Sequence, residues 1–260
     1  MQLFTWNMDK RDSMAARVLK HLDRLAQKDH VIATLQEWPQ SLLGLSGHSL
    51  HVVPTTGRAL ILYSNQLRLC AHSPDDSERA TIARFALPGG NEITCVGLHW
   101  HSRDSRGGIE DAYERGGAIA LFRHHLEARL AAGVPAVIMG DFNASHHEQE
   151  MGSPYCLFAL SKGRRSTPAM ETMMGRPKLP WLVVEPAMPA GIGTYYWPRK
   201  EMWTVLDHVV LTPDLARAQP RAEVVTGMEG ESFLTSIKRV PRGPQHASDH
   251  LPVRCEIHYQ

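Results

Sequence analysis

Val134-Pro135-Ala136-Val137-Ile138-Met139-Gly140-Asp141-Phe142-Asn143 is an apolar run that stops at a glycine, a carboxylate and an amide. Its composition predicts a strand over 134–139. Immediately upstream, Ile119, Phe122, Leu126 and Leu130 recur at helical spacing. That pattern predicts a helix over 110–131, ending before Gly133. A helix feeding directly into a short apolar strand is the building unit of an α/β protein.

The same alternation opens the chain: a strand over 2–7 leads into a helix over 13–28, marked by Met14, Val18, Leu22 and Leu25. Further strands are predicted over 31–37, 48–53, 58–63, 79–87 and 92–100. The last two are joined by the turn Pro88-Gly89-Gly90-Asn91, which implies antiparallel pairing. From Ser145 to Tyr195 the periodicity fades, and Lys162, Arg164, Arg165, Arg176 and Lys178 accumulate. This segment reads as an irregular surface excursion with one short strand over 181–184. Strands over 205–211, 222–226 and 251–257 close the chain. No repeat or long linker divides the sequence, so residues 1–260 are expected to form a single α/β domain on mixed sheets.

The 260 residues are 43% hydrophobic and 21% charged, ordinary globular usage that permits a large core. Twenty-eight Lys plus Arg against 27 Asp plus Glu leave a formal net charge of +1. A hold on a polyanion must therefore come from a local patch and not from the field of the whole molecule. Cys70, Cys95, Cys156 and Cys255 lie far apart with no Cys-x-x-Cys pair, which argues against a structural zinc site and a disulfide framework. No basic-then-apolar leader opens the sequence, and no apolar run approaches the ~18 residues that span a bilayer. The protein is expected to be soluble and cytoplasmic, with no membrane partner.

Polar clusters fall at the ends of the predicted strands, where a rigid scaffold can aim them into one cleft. They are Asn7 with Asp9, Gln36-Glu37, His99-Trp100-His101, Gly140-Asp141-Phe142-Asn143, Asp207-His208 and Ser248-Asp249-His250. Singly, each has an ordinary reading. Glu37 alone is a solvated carboxylate, His99 or His101 alone a satisfied structural histidine, and Asp141 with Asn143 a plain turn. Neither Gly-x-Gly-x-x-Gly nor Gly-Lys-Ser/Thr is present, which excludes a dinucleotide or P-loop reading. His124 and His125 are adjacent on a helix, about 100° apart, and are poor partners for one metal.

In this order, Trp6-Asn7, Gln36-Glu37, Gly140-Asp141-Phe142-Asn143, Leu206-Asp207-His208 and Ser248-Asp249-His250-Leu251-Pro252 resemble the endonuclease/exonuclease/phosphatase superfamily. The resemblance runs from Asn7 to His250. It implies a four-layer α/β/β/α sandwich with two packed mixed β-sheets and an active site at one end. It also implies metal-dependent phosphoester hydrolysis, with Mg²⁺ or Mn²⁺ as the cofactor.

Carried over by position, the resemblance makes Glu37 the principal metal ligand, with Asn7, Asp9 and Asp249 alongside. Oxygen donors of this kind suit a hard dication. Asp141 would orient or deprotonate the attacking water, and Asn143 would steady the phosphate. Asp207 would fix the tautomer of His250, which would contact the phosphate as a cation. His99 would bind phosphate or protonate the leaving group. His101 is its possible substitute, and strand alternation is expected to let only one of the two face inward. His208 departs from the Tyr frequent at that position.

The substrate reading favours DNA or RNA, held by a local basic and aromatic rim. Thr194 to Trp203 interleaves aromatics with cations, so Tyr195, Trp197 and Arg199 are candidate substrate contacts. Lys162, Arg164, Arg165, Lys238, Arg239 and Arg242 would extend the rim. The alternative is a phosphatase or phosphodiesterase for a small molecule or lipid headgroup, with those aromatics capping the core.

Overall fold

Side chains of the first strand alternate between two cores. Leu3 packs in one, with Ile32, Phe85 and Val137, whereas Phe4 and Trp6 pack in another, with Met14, Val18 and Leu22. This period-2 division is what a strand buried on both faces requires. The computed structural model describes residues 1–39, 49–55, 57–74, 79–102, 109–130, 133–153, 155–162, 180–242 and 248–259. Arg164 and Arg165 of the expected basic rim, and Arg176 and Lys178 of the aperiodic stretch, lie outside the described residues.

The chain begins with β1 (Gln2–Asn7), α1 (Asp12–Ala26), β2 (Val31–Gln36), β3 (Leu50–Val52) and β4 (Ala59–Ser64). β5 (Arg68–Pro74), β6 (Ala80–Ala86) and β7 (Glu92–His99) follow, and α2 (Ile109–Arg129) leads into β8 (Ala136–Asp141). Then come α3 (Gln149–Gly152), β9 (Ala159–Ser161), β10 (Trp181–Val184), β11 (Pro186–Ala187), β12 (Tyr195–Trp197) and β13 (Met202–Thr204). The last elements are β14 (Asp207–Leu211), α4 (Pro213–Ala216), β15 (Arg221–Val224), β16 (Gly227–Met228), β17 (Glu231–Ser232) and β18 (Val253–Glu256).

Two seven-stranded mixed sheets result, ordered β11-β15-β18-β1-β2-β4-β3 and β5-β6-β7-β8-β14-β10-β9. Their inner faces share the core of Leu3, Ile61, Phe85, Met139, Val209 and Val253. The amphipathic α1 covers the outer face of the first sheet through Met14, Val18 and Leu22. Ile119, Phe122 and Leu126 of α2 cover the outer face of the second, on Val96, Leu98, Ile138 and Val210. Full burial of each such side chain contributes roughly 1.5–3 kcal/mol. The layers are thus α/β/β/α, as expected.

Both helices serve as crossovers. β1 pairs parallel with β2, and β7 pairs parallel with β8, so both units deliver their carboxyl ends to one edge, where α/β proteins place their sites. The β6–β7 hairpin is antiparallel, as its turn predicts. Gly97 allows the sheets to approach: a Cβ there would lie 3.2 Å from Thr34 Cγ2 and from Ala59 Cβ.

The expected irregular stretch after Ser145 is partly regular. β9 pairs parallel with β10, and just beyond the stretch, which is bounded at Tyr195, β12 pairs with β13. Each of β9, β12 and β13 has three residues, too few for a readable period. A buried arginine anchors the segment before β9. Arg123, 4% exposed, donates to the carbonyls of Leu157 and Phe158 and to Glu127, and lies over the rings of Phe158 and Trp181. Among the described residues, no helix is long and apolar enough to cross a membrane.

Candidate active site

β7, β8 and β14 are neighbours, and their register sets His99 opposite Asp141 and Asp141 opposite Asp207. Directly paired residues share a sheet face, so one imidazole and two carboxylates project together. Gly140 makes the close pairing possible, since a Cβ there would overlap the carbonyl oxygen of Leu98. Asp141 is buried. Its Oδ1 accepts from the Asn143 backbone N–H at 2.8 Å, and its Oδ2 accepts from Asn7 Nδ2 at 3.1 Å. Asn7 comes from the other sheet, so the site lies where the two sheets meet. Asn143 Nδ2 donates to the Trp100 carbonyl at 3.0 Å.

His250 is gripped from several sides. Its Nδ1 lies 2.8 Å from Asp207 Oδ2, and its Nε2 lies 3.8 Å from Asp141 Oδ2. Its carbonyl accepts from Trp6 Nε1 at 2.9 Å. Ser248 Oγ accepts its N–H and donates to the Asn7 carbonyl. The Tyr195 ring centroid is 4.7 Å from that of His250. Burial opposes a charge on His250, but Asp207 and Asp141 prevail and raise its pKa to about 10, so the ring is cationic. Burial raises the Asp141 carboxyl, with Asp207 adding to the shift and His250 opposing it.

His99 faces the site, with Nε2 3.6 Å from Glu37 Oε1 and 3.9 Å from Asp141 Oδ2. Burial lowers its pKa to about 4 against the pull of Asp141, so it presents a neutral imidazole. His101 is exposed, with Nδ1 2.8 Å from Arg79 Nη2. Strand alternation is not what separates the two, because residues two apart in a strand share a face. β7 stops at His99, and the chain beyond it turns outward. His208 points to the opposite face from Asp207. Its Nε2 donates to the Ala144 carbonyl at 2.8 Å, and burial pushes its pKa down to about 4.

A second group of acids lies beside the first. Lys10 N–H donates to the Glu37 carbonyl at 2.6 Å, which staples the turn after β1 to the end of β2. Asp9, Lys10, Glu37 and Asn143 all have left-handed backbones, with φ of 47°, 54°, 44° and 49°. Such strain costs roughly 1–3 kcal/mol per residue and concentrates at functional sites. Asp9 is ion-paired with Arg11. Burial raises its carboxyl; Arg11 opposes the shift, and the charges of Asp249 and Glu37 add to it. That mutual repulsion is what a bound dication relieves, and the all-oxygen set of Glu37, Asp9, Asp249 and Asn7 fits a hard cation. Asp141, Asp207 and His250 also bring ligand atoms within 4.8 Å of one another. With His250 Nδ1 hydrogen-bonded to Asp207, that trio is a hydrogen-bonded ion pair in the structure.

Next to these groups the β12–β13 hairpin overhangs a cavity of about 190 Å³, walled by Tyr195, Trp197, Met202 and Leu206 and bordered by Asn143 and Glu148. Lys200 also lines it and lies 4.0 Å from the Trp197 ring centroid. Arg199 is exposed in the hairpin turn and is not among the lining residues. Arg239 and Arg242 donate to the carbonyls of Ala190 and Leu234. Sequence reasoning missed Thr194, whose Oγ1 accepts from the N–H groups of Leu206 and Asp207, and it missed Glu148 and Lys200. Lys200 stood inside the aromatic stretch already noted, whereas Glu148 carried no signal.

A two-sheet sandwich that gathers carboxylates, amides and a cationic histidine at one end defines a phosphoesterase. The model of the Endonuclease/Exonuclease/phosphatase family matches residues 4–250, and the chain belongs to that family, whose members are phosphoesterases generally dependent on a divalent metal. No curated protein matches by sequence. An AP endonuclease from Archaeoglobus fulgidus has a similar structure, with 18% identity, 100% of both chains covered and a TM-score of 0.59. A mannosyl-6-phosphatase from Bacteroides thetaiotaomicron shares 16% identity over 100% of both chains, at a TM-score of 0.58. A humanized TDP2 of D. rerio shares 12% identity over 98% of this chain and 97% of that one, at 0.59.

Proposed function

We propose that the chain hydrolyses phosphodiester bonds of DNA or RNA, with Mg²⁺ or Mn²⁺ held by Glu37, Asp9, Asp249 and Asn7. The observation that carries this reading is the position of Asp141. It is a buried carboxylate whose proton affinity is raised, and it sits between Asn7, His99 and His250. A carboxylate of raised pKa is a better base for water. As the water oxygen bonds to phosphorus and the opposite phosphorus–oxygen bond breaks, Asp141 takes the water proton. The departing oxygen leaves with a proton from solvent or a neighbouring donor.

The His250 cation, oriented by its Nδ1–H bond to Asp207, turns its Nε2–H toward the non-bridging oxygens. The amide of Asn7 retains one N–H beyond the one given to Asp141, and neutral His99 donates without adding charge. A bound dication supplies charge neutralisation at the phosphate. Tyr195 and Trp197, beside Lys200, favour a polymer whose bases stack and whose backbone is anionic.

The test is a cleavage assay on plasmid, linear duplex, single-stranded DNA, RNA and bis-p-nitrophenyl phosphate, with Mg²⁺, Mn²⁺ or EDTA, wild type beside Asp141→Asn. Metal-dependent nucleic-acid cleavage that vanishes in the variant is expected. Turnover of the small diester alone would move the substrate to a metabolite or headgroup.

A further inference from the structure

Leu206 and Asp207 lie past the end of β10, which pairs with β14 only from Val209 onward. The Leu206 carbonyl faces β8, where it accepts from the Phe142 N–H at 2.9 Å. Across a planar trans peptide the following N–H points the opposite way, so that of Asp207 points to the side that β10 does not reach. The Thr194 hydroxyl stands there. Its oxygen accepts from the N–H groups of Leu206 at 3.0 Å and Asp207 at 3.1 Å, which uses both lone pairs of a hydroxyl. Thr194 is buried. Its carbonyl accepts from the Leu251 N–H at 2.6 Å, and the Tyr196 N–H donates to the Asp249 carbonyl at 2.9 Å, so that Tyr195 is paired with His250. One residue thus grips both halves of the Asp207–His250 pair, the backbone of the acid by its side chain and the backbone beside the histidine by its main chain.

We infer that Thr194 is a positioning residue of the phosphoester-cleaving site: its hydroxyl holds the Asp207 backbone where the carboxylate meets His250. The inference rests on the reading above, in which His250 faces the phosphate. An Asp side chain is short, with two rotatable bonds, so its carboxylate follows its backbone. A charge-assisted hydrogen bond such as that from His250 Nδ1 to Asp207 Oδ2, at 2.8 Å, weakens steeply as distance and angle depart from the optimum. A displacement of about 1 Å near a reacting centre can cost about a hundredfold in rate. Valine has the shape of threonine and no acceptor. Thr194→Val therefore leaves two backbone N–H groups without their oxygen, that of Asp207 among buried atoms, and the segment shifts to satisfy them. Serine keeps the oxygen in place.

The test uses the whole chain with Mn²⁺ and bis-p-nitrophenyl phosphate. Thr194→Val should lower kcat by about tenfold to a hundredfold and leave the Mn²⁺ concentration for half-maximal rate within about twofold. Thr194→Ser should keep kcat within about threefold of wild type. Because Thr194 acts through Asp207, adding Thr194→Val to Asp207→Asn should cost less than about twofold more. Proton NMR reads the geometry without turnover. A proton donated by an imidazolium to a carboxylate is deshielded, so the His250 Nδ1–H gives a low-field resonance that His250→Gln lacks. That resonance should persist in Thr194→Ser and vanish or move upfield in Thr194→Val. Thr194→Ala removes the same acceptor with less bulk and carries the comparison should the valine variant not fold. Losses that multiply in the double variant, or a resonance and kcat unchanged in Thr194→Val, overturn the inference and leave the phosphoesterase reading standing. So does a serine variant as slow as the valine one. A wild type inert to the diester overturns the phosphoesterase reading on which the inference rests.

Discussion

His250 Nδ1 lies 2.8 Å from Asp207 Oδ2, and both side chains are buried, so neither charge is tolerable without the other. Removing one partner of such a pair leaves an isolated buried charge, at a cost of about 3–5 kcal/mol. Asp207→Asn and His250→Gln should each destabilise the fold by about that amount. The double variant should fall short of the sum by at least about 1 kcal/mol. Urea unfolding of the four proteins measures the cycle, and additive effects would dissolve the coupling. Turnover should follow the same logic, with either single substitution costing nearly as much as both.

Asp141 and Glu37 should separate chemistry from metal binding. Asp141→Asn keeps the hydrogen bonding to Asn7 within reach of an amide and removes the base. It should cut turnover by about a hundredfold or more with little change in Mn²⁺ affinity. Glu37→Gln should instead raise the metal concentration for half-maximal rate, by about tenfold. Calorimetric Mn²⁺ titration beside steady-state rates distinguishes the two. An unchanged metal requirement in Glu37→Gln removes Glu37 from the cation site.

How much of this was legible in the sequence depended on how local the signal is. β1, α1, α2 and β8 have long apolar periods, and their side chains divide among the cores as that pattern requires. Asn7, Glu37, Asp141, Asp207 and His250 stand at strand ends, so ordered strand ends already suggested one cleft. β9 and the β12–β13 hairpin are only three residues per strand, and pairing with neighbours defines them. Glu148 reaches the cavity because the loop after β8 folds back beneath the hairpin, a contact between residues about fifty positions apart that no spacing encodes.

His99 and His101 test where β7 ends. His99 meets Glu37 and Asp141 inside the site, whereas His101 is exposed and meets Arg79. His99→Ala should lower kcat by about tenfold to a hundredfold, and His101→Ala should change it less than about twofold. A larger loss in His101→Ala than in His99→Ala would mean that His101 swings inward when substrate binds.

His208 gives the fold a pH dependence of its own, away from the reacting groups. Its Nε2 donates to the Ala144 carbonyl, and its buried Nδ1 has no hydrogen-bond partner, so the pocket accepts the neutral ring alone. Burial, with His146 adding to it, holds the pKa at about 4 against an ordinary value of 6.5. Between those two values the unfolded chain binds a proton that the folded chain refuses. The stabilisation is therefore complete above pH 6.5 and is lost as pH falls toward 4, amounting to about 3 kcal/mol over the whole interval. His208→Gln keeps an N–H for the Ala144 carbonyl and removes the titration. Urea unfolding at pH 7 and pH 4.5 should show a smaller acid loss in the variant than in wild type, by about 2–3 kcal/mol. Equal acid losses would place the proton uptake elsewhere, with His99, also held near 4, the next residue to substitute.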